Sequence, residues 1–262
     1  MWECNITEYA TRSTYCVLRV PFFDSGMTYS EAYFTTRETW RDWRIEARQL
    51  IDLARVTRGA RVLEIGCGGG GLLRMLRERG ACAVGVDTLE RALILAQHRE
   101  GESGREGEAA TFPHSPALPR PPSSFVQITE DGRLPFRDAA FDAIIAQHVV
   151  EHLPDVVAAL REWKRVLKPR GRIALATPNA HYPDPAHFAD ADHARVFAPA
   201  ELRDIVERAG FAVESCYTLF PFLSRTRVLR ACGVIAHCIF QHIPHFAMRG
   251  RTILLSALRP AT

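Results

Sequence analysis

Residues 62–71, VLEIGCGGGG, place a short apolar run and one acidic residue directly before a nearly uninterrupted series of glycines. Such a stretch is typical of a buried strand that leads into a tight turn, followed by a helix whose N-terminus points at the ligand. Two glycine motifs overlap there: G-x-G-x-x-G at Gly66, Gly68 and Gly71, and E-x-G-x-G-x-G at Glu64, Gly66, Gly68 and Gly70. The two motifs imply different cofactors, so this stretch alone does not identify the ligand.

Strand and helix patterns alternate along the chain. The patterns predict strands at 61–67, 82–87, 125–129, 140–147 and 172–179, helices at 72–80, 88–99, 153–168 and 200–210, and late strands at 211–219 and 251–258. This alternation is typical of a parallel sheet wound by right-handed crossovers. We therefore predict an α/β fold with a Rossmann-like doubly wound sheet, mostly parallel, with a terminal antiparallel hairpin and an N-terminal helical cap.

Helix signals define the first boundary of the chain. Residues 38–57 carry apolar residues at helical spacing, and Gly59 is expected to end that helix. We therefore assign residues 1–58 to an N-terminal helical cap or lid. Thr88 is expected to cap the helix that begins with it.

The remaining residues, 59–262, are assigned to one cofactor-binding domain. Residues 100–124 are rich in Gly, Pro, Ser and Glu, which predicts a flexible insertion at the edge of this domain. The largely apolar segment 219–248 predicts either a lid over the acceptor or an interface, with contact to a membrane surface as a less favoured alternative.

Composition excludes several functional classes. A net charge of +3 gives no support for nucleic-acid binding. Seven cysteines without a C-x-x-C pair argue against a disulfide scaffold or a zinc ribbon and favour a reducing compartment. The chain begins without a signal-peptide pattern, and it lacks the ~18 uninterrupted apolar residues of a membrane span. We therefore expect a cytoplasmic globular protein.

Two acidic residues bear on the choice of cofactor. Asp87 ends the second predicted strand and is placed to accept both hydroxyls of a ribose, which either cofactor carries. Glu64 lies two residues before the first glycine, where a carboxylate is unfavourable beside an anionic pyrophosphate. S-adenosyl-L-methionine has no phosphate and carries an ammonium group, so Glu64 favours it over a dinucleotide.

Segments further along the chain extend this pattern. Four parts of the chain resemble the successive motifs of class I S-adenosylmethionine-dependent methyltransferases. They are LEIGCGGG, Asp87, DGRLPFRDAAFDAIIAQHVVEHL and EWKRVLKPRGRIALATPN. The branch resembled includes the ubiquinone- and menaquinone-biosynthesis methyltransferases and many small-molecule enzymes. The resemblance covers roughly residues 60–215 and implies an enzyme that uses S-adenosyl-L-methionine and releases S-adenosyl-L-homocysteine.

The resemblance implies a set of cofactor-binding residues: Glu64, Gly66, Cys67, Gly68, Gly70, Asp87, Thr88, Asp131, Gly132 and Gln147. Glu64 and the glycine loop would line the methionine and ribose portions, and Asp87 would bind the ribose hydroxyls. Cys67 is interpreted as a packing residue of that loop. The alternative for each polar member is an ordinary polar residue at a strand end.

The adenine end and the sulfonium end of the cofactor are assigned to later residues. Thr88 would pack beside the adenine, and Asp131 with the amide of Gly132 would bind the adenine edge, with Glu130 as the alternative to Asp131. Gln147 ends the fourth strand and would lie near the sulfonium or the amino-acid end.

The stretch QHVVEHLPD supplies the first catalytic candidates. His148, Glu151 and His152 share one face if this turn is helical. Ubiquinone-type O-methyltransferases have a similar E-x-x-E-H, where a divalent metal has been implicated. His148 stands here instead of the first glutamate, which argues against a magnesium-type site. We name His148 and His152 as catalytic candidates and assign no metal, with a structural role as the alternative.

Acceptor contacts are expected from two other segments. The loop HYPDPAHFADADH follows the fifth strand at the carboxyl edge, where open α/β sheets bind ligands. From it we take His181 as a further catalytic candidate and Tyr182 and His187 as substrate-binding candidates. Tyr33, in the aromatic N-terminal segment, would cover the active site; the alternative is a helix that packs on the sheet edge.

The sequence therefore predicts methyl transfer from S-adenosyl-L-methionine to a small-molecule acceptor, most consistent with O-methylation of a hydroxyl. Methylation at carbon, nitrogen or sulfur is the alternative. A nicotinamide-dependent oxidoreductase and a catalytically silent S-adenosylmethionine-binding partner are remote alternatives. No nucleic acid is expected as a partner, and a homodimer is one use of the apolar segment.

Overall fold

The computed structural model describes residues 31–39, 41–106, 125–129, 132–182, 193–219 and 248–261. The helices are α1 (Glu31–Thr39), α2 (Arg41–Leu53), α3 (Gly71–Glu78), α4 (Glu90–Glu106), α5 (Val156–Val166) and α6 (Pro199–Arg208). The strands are β1 (Arg61–Ile65), β2 (Cys82–Asp87), β3 (Phe125–Gln127), β4 (Phe141–Gln147), β5 (Leu167–Pro178), β6 (Ala212–Leu219) and β7 (Thr252–Leu258). Within these ranges, no helix has both the length and the apolar character that a membrane crossing requires.

The seven described strands form one sheet in the order β3-β2-β1-β4-β5-β7-β6. Strands β1 to β5 pair in parallel, and β7 runs antiparallel to both β5 and β6. The predicted α/β fold is therefore confirmed, including the mostly parallel sheet and the late antiparallel hairpin. Because the parallel strands all end at one edge, the residues that follow β1, β2, β4 and β5 are brought together there.

Helices cover both faces of the sheet because successive strand residues point to opposite sides. On β4, Ile144 and Ala146 pack into a buried cluster with residues of α5 and α6. The intervening Ala143 and Ile145 pack into a second cluster with residues of α2, α3 and α4. This two-sided core confirms the doubly wound arrangement, and it holds the carboxyl edge of the sheet rigidly.

The N-terminal helix differs from the sequence prediction at both ends. Two helices, α1 and α2, replace the single predicted helix over 38–57. α2 ends at Leu53, and Arg55 takes the left-handed conformation at φ 50° that terminates it. Gly59 does not end the helix. It lies in the turn before β1, where its N–H bonds the Gly80 carbonyl at 2.8 Å.

Helix α4 also differs from its prediction. It begins at Glu90, and the carbonyl of Leu89 accepts the first helical hydrogen bonds from Ala92 and Leu93, so Thr88 is not its cap. The helix continues to Glu106, which places the first residues of the predicted insertion 100–124 in regular structure. Residues 107–124 and 220–247 lie outside the described residues, so both insertions stay predictions.

The two halves of the predicted N-terminal cap occupy different environments. Ala47, Leu50 and Ile51 of α2 are fully buried and belong to the core. α1, in contrast, lies over the glycine loop. The atoms nearest to a Cβ built on Gly68 belong to the side chain of Phe34, and those nearest to a Cβ on Gly71 belong to the side chain of Glu38. Only α1 therefore has the position expected of a cap, and the domain boundary at residue 58 stays a prediction.

Asn179 fastens the end of β5 to the segment that precedes β7. Its side-chain amide donates to the carbonyls of Met248 at 3.0 Å and Gly250 at 2.7 Å, and its Oδ1 accepts from the His181 N–H at 3.1 Å. The side chain is fully buried. This one residue therefore satisfies backbone groups from both chain segments at the carboxyl edge.

We expect Asn179→Ala to lower the free energy of unfolding by about 2–4 kcal/mol, because buried carbonyls lose their donors. Urea denaturation followed by circular dichroism measures this. Asp155→Ala is the control: it removes the exposed side chain that caps α5 through the Ala158 N–H, a loss of about 1 kcal/mol. Equal costs for the two variants would contradict the role given to Asn179.

Candidate active site at the carboxyl edge

The glycine loop between β1 and α3 turns with three left-handed glycines. Gly66, Gly68 and Gly70 have φ angles of 68°, 49° and 77°, a region that residues with a side chain rarely occupy. A Cβ on Gly66 would lie 2.5 Å from Cγ2 of Val149. The N–H groups of Gly66 and Cys67 both bond the Val86 carbonyl, at 2.8 and 3.0 Å. These bonds draw the loop over the end of β2.

Glu64 is a buried carboxylate on β1 that faces α3. Strand alternation places Leu63 and Ile65 on the α5 face and Glu64 on the opposite face. Burial, followed by the charges of Glu38 and Asp87, raises the pKa of Glu64 well above its usual value. Its Oε2 has no hydrogen-bond partner among the described residues. A buried, partnerless carboxylate oxygen beside a bare backbone fits a ligand that carries an ammonium group.

Asp87 connects the tip of β2 to the glycine loop. Its Oδ2 accepts from the Gly68 N–H and its Oδ1 from the Leu89 N–H, both at 2.9 Å. Burial raises the pKa of Asp87, and hydrogen bonds from the N–H groups of Leu89, Gly68 and Thr88 oppose that rise. Each carboxylate oxygen can accept more than one hydrogen bond. Asp87 can therefore hold the loop and still accept hydroxyl groups.

Cys67 packs inside the glycine loop. It is buried, and the burial, together with the charges of Glu64 and Asp87, raises the pKa of its thiol well above the usual value. A Cβ on Gly85 would lie 2.7 Å from the Cβ of Cys67, so the side chain rests directly on β2. A thiol held protonated in this way is a packing group and a poor nucleophile.

The segment expected near the adenine is fastened by α5. Arg165 donates to the carbonyls of Leu134 at 3.0 Å and Phe136 at 2.8 Å, and Glu162 accepts from the Leu134 N–H at 2.9 Å. Gly132, which lies just before the backbone groups that Arg165 and Glu162 bind, is left-handed at φ 73°. The side chain that precedes it cannot be placed, because Asp131 and its alternative Glu130 lie outside the described residues.

Thr88 follows Asp87 on the surface. Its side chain is exposed, and its carbonyl accepts from Nε2 of Gln127 at 3.2 Å. This places Thr88 between the ends of β2 and β3, which is compatible with the packing role predicted for it.

Gln147, at the end of β4, is held by a residue that sequence reasoning missed. Its Nε2 donates to Oε1 of Glu46 on α2 at 2.7 Å, and both side chains are buried. A carboxylate only accepts hydrogen bonds, so the amide nitrogen of Gln147 must face Glu46. Glu46 gave no sequence signal, because a single acidic residue in an amphipathic helix is normally solvent-exposed.

His148 lies between two carboxylates. Its Nε2 is 2.9 Å from Oε1 of Glu46, and its Nδ1 is 3.1 Å from Oε1 of Glu151. The residue is left-handed at φ 57°, a strained conformation for a residue with a side chain. With both ring nitrogens engaged, this geometry suits a residue that positions Glu46 and Glu151 better than it suits a general base.

Glu151 is the buried centre of the catalytic candidates. It is fully buried in the 3-10 turn Val150–His152, and its Oε2 accepts from Oγ1 of Thr177 at 3.0 Å. Burial alone would raise the pKa of Glu151, but the hydrogen bond and charge of His148 outweigh it, so the pKa is lowered. Glu151 is therefore a stable carboxylate next to His152.

His193 joins His152, which the sequence analysis did not foresee. The two rings lie 5.0 Å apart, and the ligand atoms of Glu151, His152 and His193 all lie within 4.8 Å of one another. Backbone pairing explains this approach, because the Arg195 N–H bonds the Glu151 carbonyl at 3.1 Å. One carboxylate and two imidazoles could hold a borderline divalent ion such as Zn²⁺. The same groups could equally take up and release a proton.

The other acceptor candidates are less enclosed. His181 is exposed, and Tyr182 is half-buried beside it just after β5. His187 lies outside the described residues. Tyr33 is 39% exposed and packs edge-to-face on Phe34 at 5.4 Å, and Phe34 is the aromatic residue that lies next to Gly68 and Gly69 of the glycine loop.

A cleft of about 400 Å³ lies elsewhere, between α2 and the late strands. Gln49, Asp52, Glu214 and Tyr217 line it, and the Tyr217 hydroxyl donates to Oε1 of Gln49 at 2.9 Å. None of the predicted site residues lines this cleft, so the chemistry described above is confined to the carboxyl edge.

Comparison with known proteins identifies the family of the chain. The family described as "Methyltransferase domain" matches residues 36–216. The ubiquinone biosynthesis O-methyltransferase of Pseudomonas entomophila is 31% identical over 121 residues, which are 46% of this chain and 45% of that protein. The chain thus spans about half the length of the curated relatives it matches.

Solved structures share the fold. An S-adenosylmethionine-dependent methyltransferase from Mesorhizobium loti has a TM-score of 0.56 at 19% identity and covers 85% of this chain and 99% of its own. Phosphoethanolamine N-methyltransferase 2 of Haemonchus contortus, solved with S-adenosyl-L-methionine, has a TM-score of 0.62 at 14% identity. The match covers 91% of this chain and 59% of that protein. Because the family match covers more than half of the chain, the protein belongs to the methyltransferase domain family.

Proposed function

We propose that this methyltransferase transfers its methyl group to a hydroxyl of a small molecule. The observation that carries the proposal is the group of Glu151, His152 and His193 at the carboxyl edge, beside Gln147. A hydroxyl acceptor must lose its proton as it attacks, whereas a neutral amine needs no base. The name O-methyltransferase of the curated relatives supports the same acceptor chemistry.

The cofactor is proposed to lie on the glycine loop. S-adenosyl-L-methionine supplies a methyl group activated by a positively charged sulfur. Glu64 would accept a hydrogen bond from its ammonium group, Asp87 would accept the ribose hydroxyls, and Gly66 and Gly68 would allow close approach of the backbone. The segment around Gly132 would hold the adenine.

His152 is proposed as the general base. Its imidazole takes the proton of the acceptor hydroxyl while the oxygen forms a bond to the methyl carbon. The carbon–sulfur bond breaks at the same time, and its electron pair stays on sulfur. Glu151, kept ionised by His148, stabilises the imidazolium that forms, and His193 lies against the ring. His148 acts through Glu151 as a positioning residue.

Acceptor chemistry is tested with purified protein and isotopically methyl-labelled S-adenosyl-L-methionine. A panel of catechols, alkyl alcohols, primary amines and thiols is offered at equal concentration, and labelled product is identified by mass spectrometry. Label on oxygen supports the proposal. Label confined to nitrogen, sulfur or carbon would overturn it.

Glu64→Gln should weaken binding of S-adenosylhomocysteine roughly tenfold to a hundredfold, because a hydrogen bond to a charged group contributes about 1.5–3 kcal/mol. The ligand-free variant should melt at a higher temperature than the wild type. An acid whose pKa is raised in the folded state loses folding stability as pH rises through and above its ordinary pKa, and the amide removes that cost.

Calorimetric titration and thermal melts at pH 7.5 measure both effects. Glu214→Gln is the matched control, since Glu214 pairs with Arg172 on the opposite part of the sheet. Unchanged affinity in Glu64→Gln would rule out the proposed placement of the ammonium group.

His152→Asn should lower kcat on a hydroxyl acceptor about 10²–10⁴-fold with little change in the KM for S-adenosyl-L-methionine. Activity on a phenolic acceptor should recover as pH approaches the pKa of the phenol, because the ionised acceptor needs no base.

The control is His98→Asn, which replaces an exposed histidine of α4. Initial rates between pH 6 and 10 give the profile. A proportional loss at every pH would contradict the base assignment, and abolition of wild-type activity by a chelator would show metal use.

A further inference from the structure

The glycine loop contains more glycine than its backbone conformation requires. Gly66, Gly68 and Gly70 are left-handed, but Gly69 and Gly71 are not, so residues with side chains could adopt their φ angles. Some other constraint keeps these two positions free of a side chain.

Atoms of α1 and α4 supply that constraint. A Cβ on Gly71 would lie 2.3 Å from Cδ of Glu38. A Cβ on Gly69 would lie 3.1 Å from the Cβ of Phe34 and 2.9 Å from a guanidinium nitrogen of Arg99. Contacts below 3.0 Å are not tolerated between packed atoms without a shift. The two additional glycines therefore form a seat for α1.

Glu38 is held in this seat by two arginines. Arg99 of α4 donates to both of its carboxylate oxygens, at 2.7 and 2.6 Å, and Arg74 of α3 donates to Oε2 at 3.1 Å. Arg99 also donates to the Gly69 carbonyl at 2.9 Å. Glu38 is only 8% exposed. We call Glu38, Arg74 and Arg99 the α1 clasp.

The clasp joins three elements around the glycine loop. α1 is linked through Glu38 to the first turn of α3 and to the middle of α4, and through Arg99 to the glycine loop itself. A paired arrangement with a planar guanidinium has well-defined geometry, and solvent screens it less than a surface pair because the carboxylate is buried. α1 is thereby fixed on the loop and not merely packed near it.

We propose that α1 is a lid on the cofactor site and that Glu38 is the positioning residue that keeps it closed, so the clasp sets the rate at which the cofactor leaves. The inference rests on the proposed placement of the cofactor on the glycine loop. α1 covers this loop, and Phe34 lies against Gly68, where the Cβ of a side chain would be 3.0 Å from the Phe34 ring. A ligand on the loop is released only when α1 lifts.

Three variants test the lid from different sides. Glu38→Gln removes the charge of the clasp. Arg99→Lys keeps a cation but loses the paired geometry. Gly71→Ala leaves the three clasp residues unchanged but places a Cβ where the Glu38 carboxylate lies. Glu207→Gln is the control, because Glu207 forms a distant exposed pair with Arg203 on α6. Dissociation of S-adenosylhomocysteine is followed by stopped-flow after a chase with excess S-adenosyl-L-methionine.

We expect the dissociation rate to rise on the order of tenfold in Glu38→Gln and Gly71→Ala and by an intermediate factor in Arg99→Lys, while the control stays at the wild-type rate. Because Glu38 is the obstacle above Gly71, Gly71→Ala should add nothing in a Glu38→Ala background. Amide exchange of residues 33–39 should slow on binding of S-adenosylhomocysteine in the wild type and much less in Glu38→Gln.

Dissociation rates within twofold of the wild type in Glu38→Gln and Gly71→Ala would overturn the lid proposal. A further rise in the dissociation rate when Gly71→Ala is added to Glu38→Ala would also overturn it. A failure of the cofactor placement is recognised separately, because Glu64→Gln would then bind S-adenosylhomocysteine with unchanged affinity. A fall in melting temperature with unchanged dissociation would show that the clasp is only structural.

Discussion

The hydrogen bond from the Gly68 N–H to Asp87 links the two halves of the proposed cofactor site. Parallel pairing of β1 and β2 brings their ends to one edge, but the loops beyond the strands could still diverge. The Asp87 carboxylate, together with the Val86 carbonyl that accepts from Gly66 and Cys67, holds the glycine loop over β2. In a buried setting such bonds are stronger than in water, so the ligand surface is formed in advance.

Negative charge is concentrated at this edge. Glu64 and Asp87 are the residues proposed to bind the cofactor, while Glu46 and Glu151 lie on either side of His148. Both of the last two contact the imidazole between them, and Glu38 is paired with two arginines. Among the buried side-chain oxygens of the described residues, only Oε2 of Glu64 lacks a hydrogen-bond partner. This oxygen belongs to the carboxylate that we propose to bind a cation.

The sequence predicted the fold well because the relevant signals are local. β2 has the predicted limits, since Cys82 to Asp87 is a short apolar run bounded by helices on both sides. Gly59 and Thr88 were misassigned for a common reason. Each is a good terminus residue, but Arg55, four residues before Gly59, and Leu89, next to Thr88, take the terminal positions.

The candidate site could be predicted from the sequence only where its residues belong to one continuous motif. Glu64, the glycines and Asp87 follow from a strand, a turn and the next strand. Glu38, Glu46 and His193 lie far away in sequence and reach the site through tertiary packing and backbone pairing, as in the bond from Arg195 to Glu151. Without a local pattern, an acidic residue on an amphipathic helix looks like any exposed one.

The position of β7 has a consequence for assembly of the sheet during synthesis. β6 leaves the ribosome before β7, yet it touches the sheet only through β7, which lies between it and β5. Until β7 is available, β5 presents an open edge of unpaired backbone groups, a surface prone to pairing with other chains. The nascent chain thus passes through a stage with an exposed sheet edge, and insertion of β7 between β5 and β6 closes that edge.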